Sequence, residues 1–145
     1  MELKFKVLDG GTLPTRAHRE DAGFDLYSPA DICLRQNEYR TIDLKVCVEI
    51  PKGYVGFIMG RSSLNILGLL CFNGVIDSGY TGEIAVTLMN FSARNCEGYN
   101  KIYVDKGSRI AQLVVCKLAD IDGTATVDKL EDTERGDNGF GSTGV

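Results

Sequence analysis

The sequence predicts an all-β fold: an antiparallel β-barrel or sandwich with one short helix and a mobile C-terminal arm. Apolar residues recur with period two in run after run, which is the mark of strands with one face in a core. Turn-forming clusters separate those runs at short intervals, as in sandwiches and barrels. Leu3, Phe5 and Val7 alternate with Lys4 and Lys6; Leu44, Val46, Val48 and Ile50 alternate with Lys45, Cys47 and Glu49. Ile84, Val86 and Leu88 alternate with Ala85, Thr87 and Met89, and Ile102 and Val104 flank Tyr103. The run from Ile110 to Leu118 is nearly all apolar or small, which suits a strand buried on both faces. Asp9-Gly10-Gly11, Pro51-Lys52-Gly53, Asp77-Ser78-Gly79, Asp105-Lys106-Gly107 and Asp122-Gly123 are the turns between them. Only Ser62 to Gly68 reads as a helix, with a serine cap at one end and a glycine stop at the other. No repeat or linker interrupts the pattern. Residues 1–145 are therefore expected to form one domain, with an arm over 130–145.

The 145 residues suffice to bury roughly 70% of the surface that the unfolded chain exposes. A hydrophobic content of 43% and a charged content of 25% are those of a globular domain. The net charge of −4 argues against a nucleic-acid groove, but leaves room for a small anionic ligand held by a few arginines. Five cysteines (Cys33, Cys47, Cys71, Cys96 and Cys116) are odd in number, scattered, and never spaced as Cys-x-x-Cys. Neither zinc ligation nor a disulfide framework is expected of them, and a reducing compartment, cytoplasm or nucleus, suits them. Met1-Glu2-Leu3-Lys4 leads straight into the alternating pattern, and no apolar run approaches membrane-spanning length, so neither a leader nor a membrane is expected. His18 is the one histidine and lies in a polar stretch, which removes histidine-based triads and most metal sites.

Four internal segments and the tail carry chemistry. From Thr133 to Gly144 the chain is rich in glycine, which loses the most backbone entropy on ordering. Yet it holds Arg135, Phe140, Ser142 and Thr143: a phosphate clamp, a stacking ring and two hydroxyl donors, the equipment of a lid over a nucleotide. Gly74 to Ile84 reads as a β-hairpin through a glycine-bearing turn. Asp77 there is either a turn-former or, with Tyr80 facing the same pocket, a general base for water. Gly60-Arg61-Ser62-Ser63 is either an anion site at a helix start or plain helix capping. Asp25, among apolar neighbours, is either a solvated edge residue or the partner of a cation. Arg109 and Gln112 begin a strongly apolar strand, where a polar pair is more often structural than catalytic.

In their order along the chain, Ala22–Leu26, Arg61–Leu64, Gly74–Glu83, Gly107–Leu113 and Arg135–Gly144 resemble the five motifs of the trimeric dUTP pyrophosphatases (dUTPases). The resemblance spans nearly the whole chain. It implies a jelly-roll-like subunit, a homotrimer with three active sites at subunit interfaces, and an arm that closes a site built by the other two subunits. It implies hydrolysis of dUTP to dUMP and pyrophosphate, which limits uracil incorporation into DNA and supplies dUMP for thymidylate synthesis. By the same resemblance Asp77 activates the water that attacks the α-phosphorus, and Tyr80 lies against the deoxyribose and rejects UTP. Backbone groups around Asn73, Gly74, Val75 and Ile76 pair with the uracil edge. Arg61, Ser62, Ser63 and Gln112 bind the phosphate chain. Arg135, Gly141, Ser142 and Thr143 belong to the arm's substrate contacts, and Phe140 stacks on uracil. Asp25 and Arg109 fit as interface or scaffolding partners. Mg2+ bridges the three phosphates and completes its shell with water, without a direct protein ligand. The chain departs from the family at Gly60 and Ser63, where proline and glycine are usual, and at Cys71, which replaces a frequent asparagine. Two other readings stand beside this one. A dCTP deaminase needs a proton-shuttling carboxylic acid, and the sequence shows no glutamate set beside Gly74–Asp77 for it. The other is a nucleotide-loaded module that signals to a protein partner.

Overall fold

The computed structural model of the chain describes residues 2–92 and 101–137; Cys96 and the tail residues Phe140, Gly141, Ser142 and Thr143 lie outside the described residues. The strands are β1 (Lys4–Val7), β2 (Gly23–Tyr27), β3 (Ile32–Arg35), β4 (Tyr39–Glu49) and β5 (Tyr54–Met59). After helix α1 (Ser62–Ile66) come β6 (Leu69–Cys71), β7 (Gly74–Asp77), β8 (Glu83–Asn90), β9 (Lys101–Val104) and β10 (Arg109–Lys117). One antiparallel sheet runs β1-β4-β8-β6 and a second runs β2-β10-β5-β7, while β3 pairs with β9. The predicted all-β jelly-roll-like sandwich is the fold observed.

The period-two residues meet between the sheets. Ile42, Leu44, Val46 and Val48 of β4 and Ile84, Val86 and Leu88 of β8 are buried against Leu26, Ile58, Ile76, Ile110 and Leu113 of the second sheet. Burial on both faces holds only for the first half of β10, where Ile110 and Ala111 are both buried. Beyond Val114, the last residue paired with β2, the strand loses that neighbour; Val115 is half-buried, and Cys116 and Lys117 are exposed. Residues 118–137 carry neither strand nor helix and are exposed throughout.

Two local expectations are corrected. Gly74–Ile84 is not a hairpin, because β7 pairs with β5 in one sheet and β8 pairs with β4 and β6 in the other. Alternation tells which face of a strand is buried but not which strand lies beside it. Since β7 and β8 belong to different sheets, residues 78–82 cross from sheet to sheet, with Ile76 and Ile84 both buried in the core between them. Neither Ser62 nor Ser63 caps α1 either. The chain leaves β5 extended, Arg61 takes the N-cap position without a side-chain bond, and its carbonyl accepts from Leu64 and Asn65 at 3.0 Å. Gly68 ends the helix as expected, at φ +82°, a conformation that favours glycine.

Asn90, one of two fully buried polar residues among the described residues (the other is Ser28), joins β8 to β3. Its Nδ2 donates to Leu34 O at 2.9 Å, and its Oδ1 accepts from Ser92 N at 3.0 Å and Ser92 Oγ at 2.7 Å. Asn90→Leu strands all three groups and is expected to cost about 3 kcal/mol, lowering Tm by roughly 10 °C. Thermal denaturation checks this, and a fall of under about 2 °C would show that the network is dispensable.

Candidate active site

Asp77 ends β7 and lies exposed on a cavity of about 240 Å³ lined by Ile58, Gly74, Val75, Ile76, Asp77, Tyr80, Glu83, Ile84 and Ala85. Tyr80 lines the same cavity, so the carboxylate and the ring do face one space. Tyr80 is fixed three ways, one through its backbone and two through its ring. Its amide donates to Asp77 O at 3.0 Å, and its hydroxyl donates to Glu83 O at 2.9 Å. The hydroxyl end of the ring lies against Gly82, where a Cβ would come within 2.6 Å of Tyr80 Cζ. Strand β7 is the last strand of its sheet, so the backbone edge of Gly74–Asp77 away from β5 has no partner strand among the described residues. That edge offers alternating N–H and C=O groups to whatever enters beside it.

Asn73 precedes β7, is exposed, and does not line the cavity. Cys71 is half-buried on β6, also outside the cavity lining. Burial pushes its thiol up to about 11, so it is protonated and unreactive at neutral pH.

A second cavity of about 310 Å³ gathers Asp25, Arg61, Ser62, Ser63, Arg109 and Gln112, together with Ala17, Asp21, Ala22 and Gly23. Its centre is Asp25, whose Oδ1 lies 3.0 Å from Arg61 Nε and whose Oδ2 lies 3.2 Å from Arg109 Nη1. A guanidinium carries five N–H donors, so Arg61 is aimed by Asp25 through Nε while its terminal nitrogens remain able to donate. Gln112 donates from Nε2 to Gly60 O at 3.0 Å, tying β10 to the segment that begins α1. Its Oε1 packs close on Gly23, where a side chain would collide with it. Because the serines start the helix rather than cap it, both are exposed on this cavity. Guanidinium, hydroxyl and carboxamide donors are ligands for phosphate oxygens rather than for a cation. Arg135 is exposed and lines neither cavity.

The two cavities share no lining residue. Asp77 lies opposite Val55 of β5, whereas Gln112 lies opposite Met59, four residues along the same strand. With β2 and β7 at opposite edges of the sheet, Asp77 and Asp25 are roughly 20 Å apart, from a rise of about 3.3 Å per residue and a strand spacing of about 4.8 Å.

Sequence reasoning missed Glu83. It lines the Asp77 cavity after all, correcting the expectation that no glutamate stands beside Gly74–Asp77. Its carboxylate is already engaged, however: Oε1 accepts from Lys45 N at 2.8 Å and lies 3.2 Å from Lys45 Nζ. A proton shuttle needs an uncommitted acid, so the deaminase reading gains nothing. The sequence held no sign of this, because Lys45 sits in an ordinary alternating run nearly forty positions away.

A carboxylate-and-ring cavity and a guanidinium–hydroxyl cavity on one jelly-roll-like sandwich define an all-β protein equipped for a phosphate-bearing ligand. A sequence model of the dUTPase family matches residues 9–144. The deoxyuridine 5'-triphosphate nucleotidohydrolase of Cutibacterium acnes is 42% identical over 136 residues, covering 92% of this chain and 86% of that protein. The structure of the Staphylococcus bacteriophage 80alpha dUTPase with dUpNHpp superposes with a TM-score of 0.90 at 31% identity, over 99% of both chains. A mutant dUTPase from phage phi11 of S. aureus, described for its coordination of a structural Mg(II) ion, gives a TM-score of 0.75 at 26% identity, over 92% and 99%. This chain belongs to the dUTPase family.

Proposed function

We propose that the protein hydrolyses dUTP to dUMP and pyrophosphate, at sites that separate copies of the chain build together. The observation that carries this reading is the Asp77–Tyr80 cavity beside the unpaired edge of β7. Asp77 orients a water and takes its proton as the oxygen attacks the α-phosphorus. The bond from that phosphorus to the bridging oxygen breaks, and pyrophosphate leaves with the electron pair. Tyr80 stands against the sugar and leaves no room for a 2′-hydroxyl. The backbone of Asn73, Gly74, Val75 and Ile76 pairs with the uracil edge. Cytosine leaves those groups unpaired and thymine brings a methyl group into a tight space.

Arg61, Ser62, Ser63 and Gln112 hold the phosphate chain, with Asp25 and Arg109 as their scaffold. Since these donors lie too far from Asp77 within one chain, the substrate bridges two copies, which suits a homotrimer. The arm over 130–145 closes the site, with Arg135, Ser142 and Thr143 on the phosphates, Phe140 on the base and Gly141 among the arm's substrate contacts. Mg2+ would ride on phosphate oxygens and water, neutralising charge on the leaving pyrophosphate. Among the described residues no cluster of three or more His, Cys, Asp or Glu is placed to hold a metal, and no helix is long and apolar enough to cross a membrane. The free thiols of Cys33, Cys47, Cys71 and Cys116 suit cytoplasm or nucleus.

Pyrophosphate release from dUTP, UTP, dTTP and dCTP, with Mg2+ and with a chelator, tests this on the full chain and on one ending at Leu130. The full chain is expected to favour dUTP over UTP by roughly 10²-fold or more in kcat/KM, with Mg2+ required and the shortened chain inactive. Equal turnover of UTP, ammonia from dCTP, or tight dUTP binding without release would overturn the reading.

A further inference from the structure

Strand β4 carries a bulge at the level where β8 begins. Asp43 pairs with Ala85, but the next partner pair is Cys47 with Glu83, so β4 spends two more residues than β8 over this stretch. Lys45 sits inside the bulge at φ +60°, a left-handed backbone conformation that a side chain of this size rarely adopts. Such a conformation persists only where its surroundings over-determine it, and a bulge commonly serves to re-aim neighbouring groups.

The surroundings here are specific. Leu8 N donates to Lys45 O at 2.8 Å, and Gly11 packs so closely on that carbonyl that any side chain there would strike it. On the other side the Glu83 carboxylate receives both the Lys45 amide and its ammonium through a single oxygen, Oε1. The side chains of Lys45 and Glu83 are 42% and 27% exposed, and an ion pair so open to water adds little to stability. Its geometric consequence is larger. Glu83 O is the acceptor that anchors the Tyr80 hydroxyl, one residue beyond the Gly82 on which the ring lies. A carboxylate pinned to the bulge therefore fixes the carbonyl that fixes the ring.

We propose that Glu83, held by the Lys45 bulge, is a positioning residue that sets the Tyr80 ring and with it the rejection of ribonucleotides. The inference rests on the reading that Tyr80 faces the sugar. Glu83 touches no reacting atom in it. Released from Lys45, residue 83 shifts, the ring loses its anchor, and space opens for a 2′-hydroxyl.

The test compares kcat/KM for dUTP and UTP in the full chain, together with Tm. Glu83→Ala is expected to lower the dUTP:UTP ratio by roughly tenfold, mainly through faster UTP turnover, because two hydrogen-bonding contacts to the pin are lost. Lys45→Met keeps the amide donor and is expected to lower the ratio by about threefold. Glu83→Gln, which keeps an acceptor for that amide, restores most of the discrimination lost in Glu83→Ala. Asn90→Leu, at the far end of β8, lowers Tm without moving the ratio. A folded Glu83→Ala protein whose ratio stays within about twofold of the parent overturns the proposal. So does an equal fall in Asn90→Leu, which would reduce the effect to instability. Should Glu83→Ala not fold, an unmoved ratio in Lys45→Met overturns it instead. A parent protein that turns over dUTP and UTP alike, or a Tyr80→Ala variant with an unchanged ratio, would sink the Tyr80 reading itself. The variants at 83 and 45 fail alone only when that ratio responds to Tyr80.

Discussion

Replacing Asp77 with asparagine is expected to slow pyrophosphate release from dUTP by roughly 10²–10⁴-fold, the usual contribution of a general base. The side chain ends β7, is exposed, and takes no part in the core, so the substitution has little structural cost. Asparagine matches aspartate in shape and can still touch a water, but it cannot accept the proton. The loss should therefore fall on kcat, with KM for dUTP little changed. A coupled pyrophosphate assay and a thermal melt on the same preparation separate chemistry from folding. A variant with unchanged Tm that keeps more than about a tenth of the activity would remove Asp77 from the role of base.

Mixing two inactive variants should restore activity that neither has alone. Arg61→Ala removes a phosphate donor from the second cavity, whereas Asp77→Asn disables the first, and the two cavities share no residue. If each working site takes Asp77 from one copy and Arg61 from another, random assembly from equal amounts leaves both partners intact at about one quarter of sites. Co-expression, or unfolding and refolding of the mixture, followed by the dUTP assay, should then give about a quarter of parental turnover. Each variant alone should lie on the order of 10²-fold or more below the parent. A mixture that stays at the floor would mean that one chain supplies both groups. The register argues against that, since Asp77 and Gln112 face rungs of β5 four residues apart, from opposite sides of that strand.

The core was legible because burial follows period two. Leu44, Val46 and Val48, and likewise Ile84, Val86 and Leu88, announce the faces that the two sheets bury against each other. The segment from Asp77 to Tyr80 was legible for a related reason: a turn of fixed length brings a carboxylate and a ring to one cavity whatever the strands beyond it do. Its strand partners were not legible. A hairpin and a crossover between sheets have the same alternation, and only the pairing of β7 with β5 and of β8 with β4 and β6 distinguishes them. The serine cap failed because the choice between Arg61 and Ser62 as the N-cap of α1 depends on how far the chain stays extended beyond β5.

What the sequence determined by itself was local: which residues are buried, where the chain turns, and which short segments hold a base, a ring and phosphate donors. Those features depend on neighbours a few positions apart. The tertiary structure alone decided that Asp25 stands between Arg61 and Arg109, that Glu83 reaches back to a bulge at Lys45, and that the two cavities lie at opposite edges of one sheet. Each of these joins residues far apart in sequence. Strand register, which no local pattern encodes, sets the distance between them.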